Sequence, residues 1–372
     1  MSPKSQDRSL KRLPEILGEI SHSDSNPGTT SHNCQKSLTS TRAVKPLDLP
    51  AHVKIQGSCD ALDSLGGFQI EFDGPLDLES TLECGQVFRW GQASGPDGYT
   101  WHKGVIGSCA LMVRFNTGSS NLLVLHDKEL GSFESKLGQS QIKLANKVLH
   151  YFSLDDDLKA ISSYLTKRGS AARGIVDPVI KEAIRHARGL RILRQDPWEC
   201  LVSYIVSTNK NIPAICKIVR YFCKTLGLPA GLGEYTFPSP EAFLAAGHDC
   251  ISDSKCGYRA SYVLDAAEKV AGNQVNLDFL RSLPVDNACQ ELRKIKGVGP
   301  KVADCVLLFG YHRLDVFPVD VWIARAMSRF YFDGREISPA KAREEGMKRF
   351  GLFAGYAQEY LFHYARNVLD KT

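Results

Sequence analysis

Leu292-Arg293-Lys294-Ile295-Lys296-Gly297-Val298-Gly299-Pro300-Lys301-Val302-Ala303-Asp304-Cys305 reads as two helices joined by a tight hairpin, spanning about residues 288–311. A helix stops at Gly297, and Val298 is placed to plug the space between the two helices. Gly299 permits a tight backbone, and Pro300 suits a first helical position because that N–H has no helical partner. The start of the second helix therefore presents unpaired N–H groups, which form a ready site for an anion such as a nucleic-acid phosphate. A plain structural hairpin is the alternative reading, because a Gly-x-Gly spacing alone is weak.

Lys301 falls in the first turn of that second helix, where the helix dipole disfavours an ammonium. A partly buried lysine in such a place can act as a nucleophile, and it can equally be a phosphate contact. Cys305 lies one turn further on the same face, and its bland role is to fill space. Downstream, Val316-Phe317-Pro318-Val319-Asp320-Val321-Trp322 places Asp320 as the N-cap of a helix over 321–330. A carboxylate held beside a nucleophilic amine could also stabilise positive charge developing on a sugar, or help move protons.

The hairpin sits within a long helical region. From about residue 135 onward, short segments at helical spacing follow one another: 142–149, 157–166, 179–186, 197–206, 212–226, 240–245, 258–271, 277–283, 288–295, 302–310, 320–330, 339–350 and 354–369. Upstream, residues 68–72, 99–107, 108–116 and 121–126 alternate or are punctuated by Gly, Asn and Ser, which predicts an antiparallel meander. Residues 1–57 read as a polar, flexible tail with a short helix near 10–20. The predicted fold is α+β. A tail (1–57) precedes a small antiparallel β-rich domain (58–148) and a mostly helical, two-lobed domain (149–372) that contains the hairpin.

The composition of the 372 residues, 43% hydrophobic and 23% charged, excludes collagen-like and wholly disordered chains. No apolar run is long enough to span a membrane. Eleven scattered cysteines, without paired Cys-x-x-Cys spacing, point to free thiols in a reducing, intracellular compartment and to no metal. The net charge of +5 is spread over the chain. Residues 1–55 carry eight basic and five acidic side chains, residues 56–190 fourteen and sixteen, and residues 191–372 twenty-four and twenty. Charge alone therefore permits nucleic-acid binding without arguing for it.

Five separated segments turn this pattern into a family resemblance. They are the run Lys296–Asp320, Glu83-Cys84-Gly85-Gln86-Val87-Phe88-Arg89-Trp90, Ser207-Thr208-Asn209-Lys210-Asn211-Ile212, Gly257-Tyr258-Arg259-Ala260, and Ala354-Gly355-Tyr356-Ala357-Gln358-Glu359-Tyr360-Leu361-Phe362. Together they resemble the 8-oxoguanine DNA glycosylase/lyases of the helix-hairpin-helix base-excision superfamily, over about residues 60–372.

The resemblance implies a bifunctional enzyme. Lys301 would attack C1′ of the damaged nucleoside, expel the base through a Schiff base, and permit β-elimination at the abasic site. Asp320 would stabilise the cationic sugar. The flipped base would stack on Phe362, hydrogen-bond Gln358 and meet Cys305 on its other face. The Gly85 carbonyl would accept from the N7–H that oxidised guanine has and guanine lacks. Asn209 would fill the gap in the duplex, with Tyr258 as a wedge and Arg259 as a second contact to the orphaned cytosine. Gly297, Gly299 and Trp322 would lie against the DNA backbone or the cleft mouth. Phe88, Arg89 and Trp90 read as packing.

Two positions depart from eukaryotic members. Ala214 stands where they have arginine, which implies looser discrimination for cytosine, and Trp322 stands where they often have histidine. The resemblance implies no cofactor, since no cysteine follows Cys305 to build a C-terminal iron–sulfur cluster. The implied partner is duplex DNA with 8-oxoguanine opposite cytosine, met by a monomer without a membrane. Formamidopyrimidine-guanine is a further implied substrate, and downstream abasic-site repair enzymes are implied associates. The site of action would be the nucleus of a eukaryote, or the cytoplasm and nucleoid of a prokaryote. The competing readings are a monofunctional alkylated-base glycosylase, which would usually lack the lysine at 301, and a non-catalytic DNA-binding scaffold.

Overall fold

A computed structural model describes residues 54–57, 65–118, 120–127, 139–168 and 177–368. The helix expected near residues 10–20 lies outside these. The chain begins with six antiparallel strands: β1 (Lys54–Gly57), β2 (Leu65–Glu71), β3 (Gly91–Ser94), β4 (Thr100–Ile106), β5 (Cys109–Asn116) and β6 (Asn121–Asp127). They form one sheet in the order β1-β2-β6-β5-β4-β3. The expected meander is present, widened by β1 and β3, which the alternation did not mark. Strand β1 lies in the last four residues of the segment read as tail and pairs with β2.

Cross-strand partners Phe68 and Val124, and Val113 and Val124, put fully buried side chains on one face of the sheet. That face packs on Leu144 and Val148 of α2 (Gln139–Tyr151). A short helix, α1 (Leu78–Glu83), is inserted between β2 and β3 and capped by Asp77, whose carboxylate accepts from Ser80 N at 3.0 Å.

The helical part comprises α3 (Leu158–Arg168), α4 (Pro178–His186), α5 (Pro197–Ser207), α6 (Ile212–Leu226), α7 (Pro240–Asp253), α8 (Arg259–Ala271), α9 (Leu277–Leu280), α10 (Val285–Leu292), α11 (Pro300–Tyr311), α12 (Val321–Tyr331), α13 (Pro339–Phe350) and α14 (Ala354–Val368). A small hairpin of β7 (Pro229–Gly231) and β8 (Glu234–Tyr235) follows α6. Helix starts are set locally: Asp177, Asp196, Ser239 and Ser338 each cap a helix whose first residue is proline. The helix expected over 240–245 runs on to Asp253, with a break at Gly247 (φ +74°). Tyr258, read as the first residue of its helix, is instead the N-cap of α8.

Two lobes result. One packs α5 with α6 and α8, and α8 with α7; the other packs α14 against α4, α12 and α13. Helix α11 lies between α10 and α5 and so ties the hairpin to the first lobe. Among the described residues, no helix is long and apolar enough to cross a membrane.

The sheet domain is stitched to the helices through buried polar groups, each of which must be paired to offset desolvation. The fully buried Arg191 donates to Ser153 O at 2.5 Å and Pro75 O at 3.2 Å. Gln86 donates to Thr81 O and Arg191 O and accepts from Leu193 N at 2.9 Å. Its own carbonyl accepts from Gln195 Nε2 at 2.6 Å. The residue after Gly85 is thereby fixed to the strand-like segment that leads into α5.

Candidate active site

The hairpin is built as its sequence suggests. Gly297 has φ +79°, and a Cβ there would meet the Tyr262 ring at 2.3 Å, so glycine is required on two counts. Val298 is buried between the helices. Asp265 on α8 accepts from Lys296 N at 2.8 Å, and Lys269 donates to Lys294 O at 2.7 Å. Gly299 caps α11 with no side-chain hydrogen bond to the first turn. That helix start therefore keeps its polarity toward the cleft.

Helix α11 is held in orientation by a paired buried charge. Arg343 of α13 donates two hydrogen bonds, 2.6 and 2.9 Å, to the fully buried Asp304. Three residues earlier, Lys301 is half-buried, and its Nζ lies 4.8 Å from the Tyr204 ring centroid. Cys305, one turn on, is buried, and that burial pushes its thiol up to about 12, so it stays protonated. Asp320 caps α12, with Oδ1 accepting from Ile323 N at 2.8 Å.

A cleft of about 770 Å³ separates the lobes, a volume typical of small-ligand sites. It is lined by Gly85, Asn209, Gly297, Gly299, Lys301, Cys305, Asp320, Trp322, Gln358 and Phe362. These residues come from five sequence-distant segments. Gly85 has φ +101°, and a Cβ there would sit 3.0 Å from Ile212 Cδ1, so a side chain would be both strained and crowded. Its carbonyl accepts from the Tyr204 hydroxyl at 3.2 Å. Gln358 and Phe362 share one face of α14, and Gln358 Oε1 is buried with no hydrogen-bond partner among the described residues. An orphaned buried acceptor in a cleft awaits a donor. Asn209 is exposed just beyond α5 at φ +51°, a conformation asparagine tolerates better than most residues.

Two expected residues lie outside this lining. Tyr258 is 56% exposed and packs edge-on against Tyr262. Arg259 points inward: it is buried, donates to Cys256 O at 3.0 Å and to Thr208 O, and lies 4.3 Å over the Tyr258 ring. In this conformation it braces the turn that carries Asn209. Phe88, Arg89 and Trp90 pack as read: Arg89 pairs with Glu199 at 2.8 Å, and Trp90 donates to Tyr151 Oη at 2.9 Å.

Three cleft residues escaped sequence reasoning. Tyr204 sits in an apolar helix and looks like filler. Cys84 and Glu359 adjoin Gly85 and Gln358, which was the only signal available for them. Glu359 is 4% exposed and accepts from Cys84 Sγ at 3.4 Å. Burial, reinforced by Asp320, pushes its carboxyl up to about 7 against the pull of Cys84, Gln358 and Lys301.

Comparison with known proteins agrees in both halves. Residues 70–201 match the family described as 8-oxoguanine DNA glycosylase, N-terminal domain, and residues 202–351 match the HhH-GPD superfamily base excision DNA repair proteins. A solved structure of MBOgg1 with a low-affinity DNA ligand is 34% identical, with a TM-score of 0.72 over 85% of this chain and 98% of that one. The 8-oxoguanine glycosylase/lyase of Clostridium acetobutylicum, solved with duplex DNA containing cytosine opposite 8-oxoG, is 28% identical (TM-score 0.70; 85% and 97% covered). A probable N-glycosylase/DNA lyase of Methanothermobacter thermautotrophicus is 28% identical over 62% of this chain and 78% of its own. Alkylated-base enzymes also match, as with a putative DNA-3-methyladenine glycosylase of Bacillus subtilis, 24% identical over 60% and 74%.

Proposed function

Because the chain belongs to the 8-oxoguanine DNA glycosylase/lyase family of helix-hairpin-helix base-excision enzymes, we propose that its substrate is 8-oxoguanine in duplex DNA, together with formamidopyrimidine-guanine. It is a DNA glycosylase with abasic-site lyase activity; the reading that goes further is the choice of base and the covalent route. The observation that carries it is the convergence, in one cleft, of Lys301, Asp320 and a side-chain-free carbonyl at Gly85.

The target base must leave the stack before an amine can reach its sugar. In the cleft it stacks on Phe362, and its Watson–Crick edge meets the Gln358 amide, whose Oε1 has no partner among the described residues. N7–H of the oxidised purine donates to Gly85 O. Ordinary guanine presents a lone pair at N7, so the same carbonyl repels it. The Lys301 amine attacks C1′, the C1′–N9 bond breaks, and the base departs with the electron pair and takes up a proton. Asp320 stabilises the cationic sugar during this step and accepts a proton from the attacking amine. Ring opening yields the imine. Loss of a proton from C2′ then expels the 3′ phosphate, breaking the strand. Asn209 enters the vacated position opposite cytosine, and the hairpin N–H groups hold a phosphate. One lesion occupies one cleft, so the working unit is a monomer. Its place of action is wherever the genome lies, nucleus or nucleoid, and abasic-site repair enzymes take over its product.

A panel of duplexes tests the assignment. Single-turnover base release should be fastest from 8-oxoguanine opposite cytosine, with formamidopyrimidine-guanine next. Faster release of 3-methyladenine would overturn it in favour of an alkylated-base enzyme.

A further inference from the structure

The Gly85 carbonyl can discriminate between purines only if it stays in register with the residues that stack on and grip the base. Glycine at φ +101° gives the segment no intrinsic stiffness. On the Gln86 side it is pinned by the hydrogen bonds to Thr81, Arg191, Leu193 and Gln195. On the Cys84 side the grip comes from α14: Glu359 accepts from the Cys84 thiol, and Arg366 donates to Cys84 O at 3.5 Å while lying over the Phe362 ring. Glu359 directly follows Gln358, and Cys84 directly precedes Gly85.

We propose that Cys84 and Glu359 are specificity-determining positioning residues, whose side-chain hydrogen bond locks the Gly85 carbonyl to the helix that carries Gln358 and Phe362. This rests on the reading of Gly85 O as the acceptor for N7–H. Both side chains are at least nineteen-twentieths buried, and the thiol donates to Glu359 at 3.4 Å. The thiol also reaches Thr81 O, but at 3.6 Å, and it is held protonated by burial and by Glu359, so it remains a donor. A carboxyl buried this deeply is a poor device for stability, since its desolvation exceeds what the Cys84 thiol, the Gln358 side chain and Lys301 return. It makes sense as a fixture that sets the spacing of two recognition elements.

The test compares single-turnover release of 8-oxoguanine and of 7-deaza-8-oxoguanine, which has C–H in place of N7–H, both opposite cytosine. The ratio of the two rates measures readout by Gly85 O. In the parent enzyme the ratio is expected to be about 10 to 100, the size of one buried hydrogen bond lost. Cys84→Ala and Glu359→Ala should each cut it at least about fivefold, while Cys84→Ser and Glu359→Gln, which keep a donor and an acceptor, should hold it within about twofold. If thermal melting finds an alanine variant unfolded, Cys84→Val or Glu359→Met fills the space without the bond and must show the same loss. A parent ratio near one overturns the Gly85 reading itself. A high parent ratio that persists in the alanine or space-filling variants overturns the latch alone.

Discussion

The Tyr204 hydroxyl donates a hydrogen bond to the carbonyl of Gly85 at 3.2 Å. The ring of the same residue lies beneath Lys301 Nζ and stacks on Phe309 at 5.6 Å between centroids. One side chain thus touches the group proposed to read the base and the amine proposed to attack the sugar. A carbonyl has two acceptor sites, so a tyrosine donor on one leaves the other for a ligand.

Removing that hydroxyl should therefore weaken base release without emptying the site. Tyr204→Phe keeps the ring and its stacking but frees the carbonyl. A loss of about 1 kcal/mol, or about fivefold in single-turnover release of 8-oxoguanine, is expected. An unchanged rate would mean the hydroxyl is a bystander.

Glu359 should make stability depend on pH. Its carboxyl is raised from 4.5 to about 7, chiefly by burial. The folded chain therefore holds this proton more tightly than the unfolded chain does. The resulting stabilisation is present in full below pH 4.5 and is lost as pH rises through 7, a swing of about 3 kcal/mol. Glu359→Gln removes the ionisation. Urea denaturation should find it more stable than the parent at pH 8, with the advantage shrinking at pH 5. An advantage equal at both pH values would contradict the assignment.

Arg259 should matter to folding before it matters to DNA. Its guanidinium is buried and engaged with two backbone carbonyls, at Cys256 and Thr208. Arg259→Ala leaves those acceptors without their donor and opens a cavity. A cost of about 2 to 3 kcal/mol in chemical denaturation is expected. A variant as stable as the parent would show that the side chain is held outward in solution.

Ala214 lies in the first turn of α6, near the Asn209 turn, and its methyl group offers no donor to an opposing base. Release of 8-oxoguanine opposite cytosine and opposite adenine should therefore differ by less than about 100-fold. A preference for cytosine of that size or more would require another residue to do the reading.

Local signals made much of this architecture legible. The Gly297–Pro300 turn and the Asp320 cap depend on residues a few positions apart, and each formed where its spacing put it. Strand β1 and the β7–β8 hairpin were not legible, because four-residue and shorter strands take their stability from partners rather than from their own pattern. The same reason hid part of the cleft. Cys84 and Glu359 are 275 positions apart, and Tyr204 reads as one more apolar residue in α5 until the fold brings Gly85 to its hydroxyl. Arg259 was expected to contact DNA; in the structure its guanidinium donates to the backbone carbonyls of Cys256 and Thr208, partners that its own sequence neighbourhood does not announce.

The central claim is that Lys301 forms the covalent bond to the sugar, and borohydride reduction tests it most directly. Labelled duplex containing 8-oxoguanine opposite cytosine is incubated with enzyme and borohydride, and the covalent complex is resolved on a denaturing gel. The parent should trap the duplex, whereas Lys301→Gln should trap none and release no base. A complex of parental yield in Lys301→Gln would contradict the account.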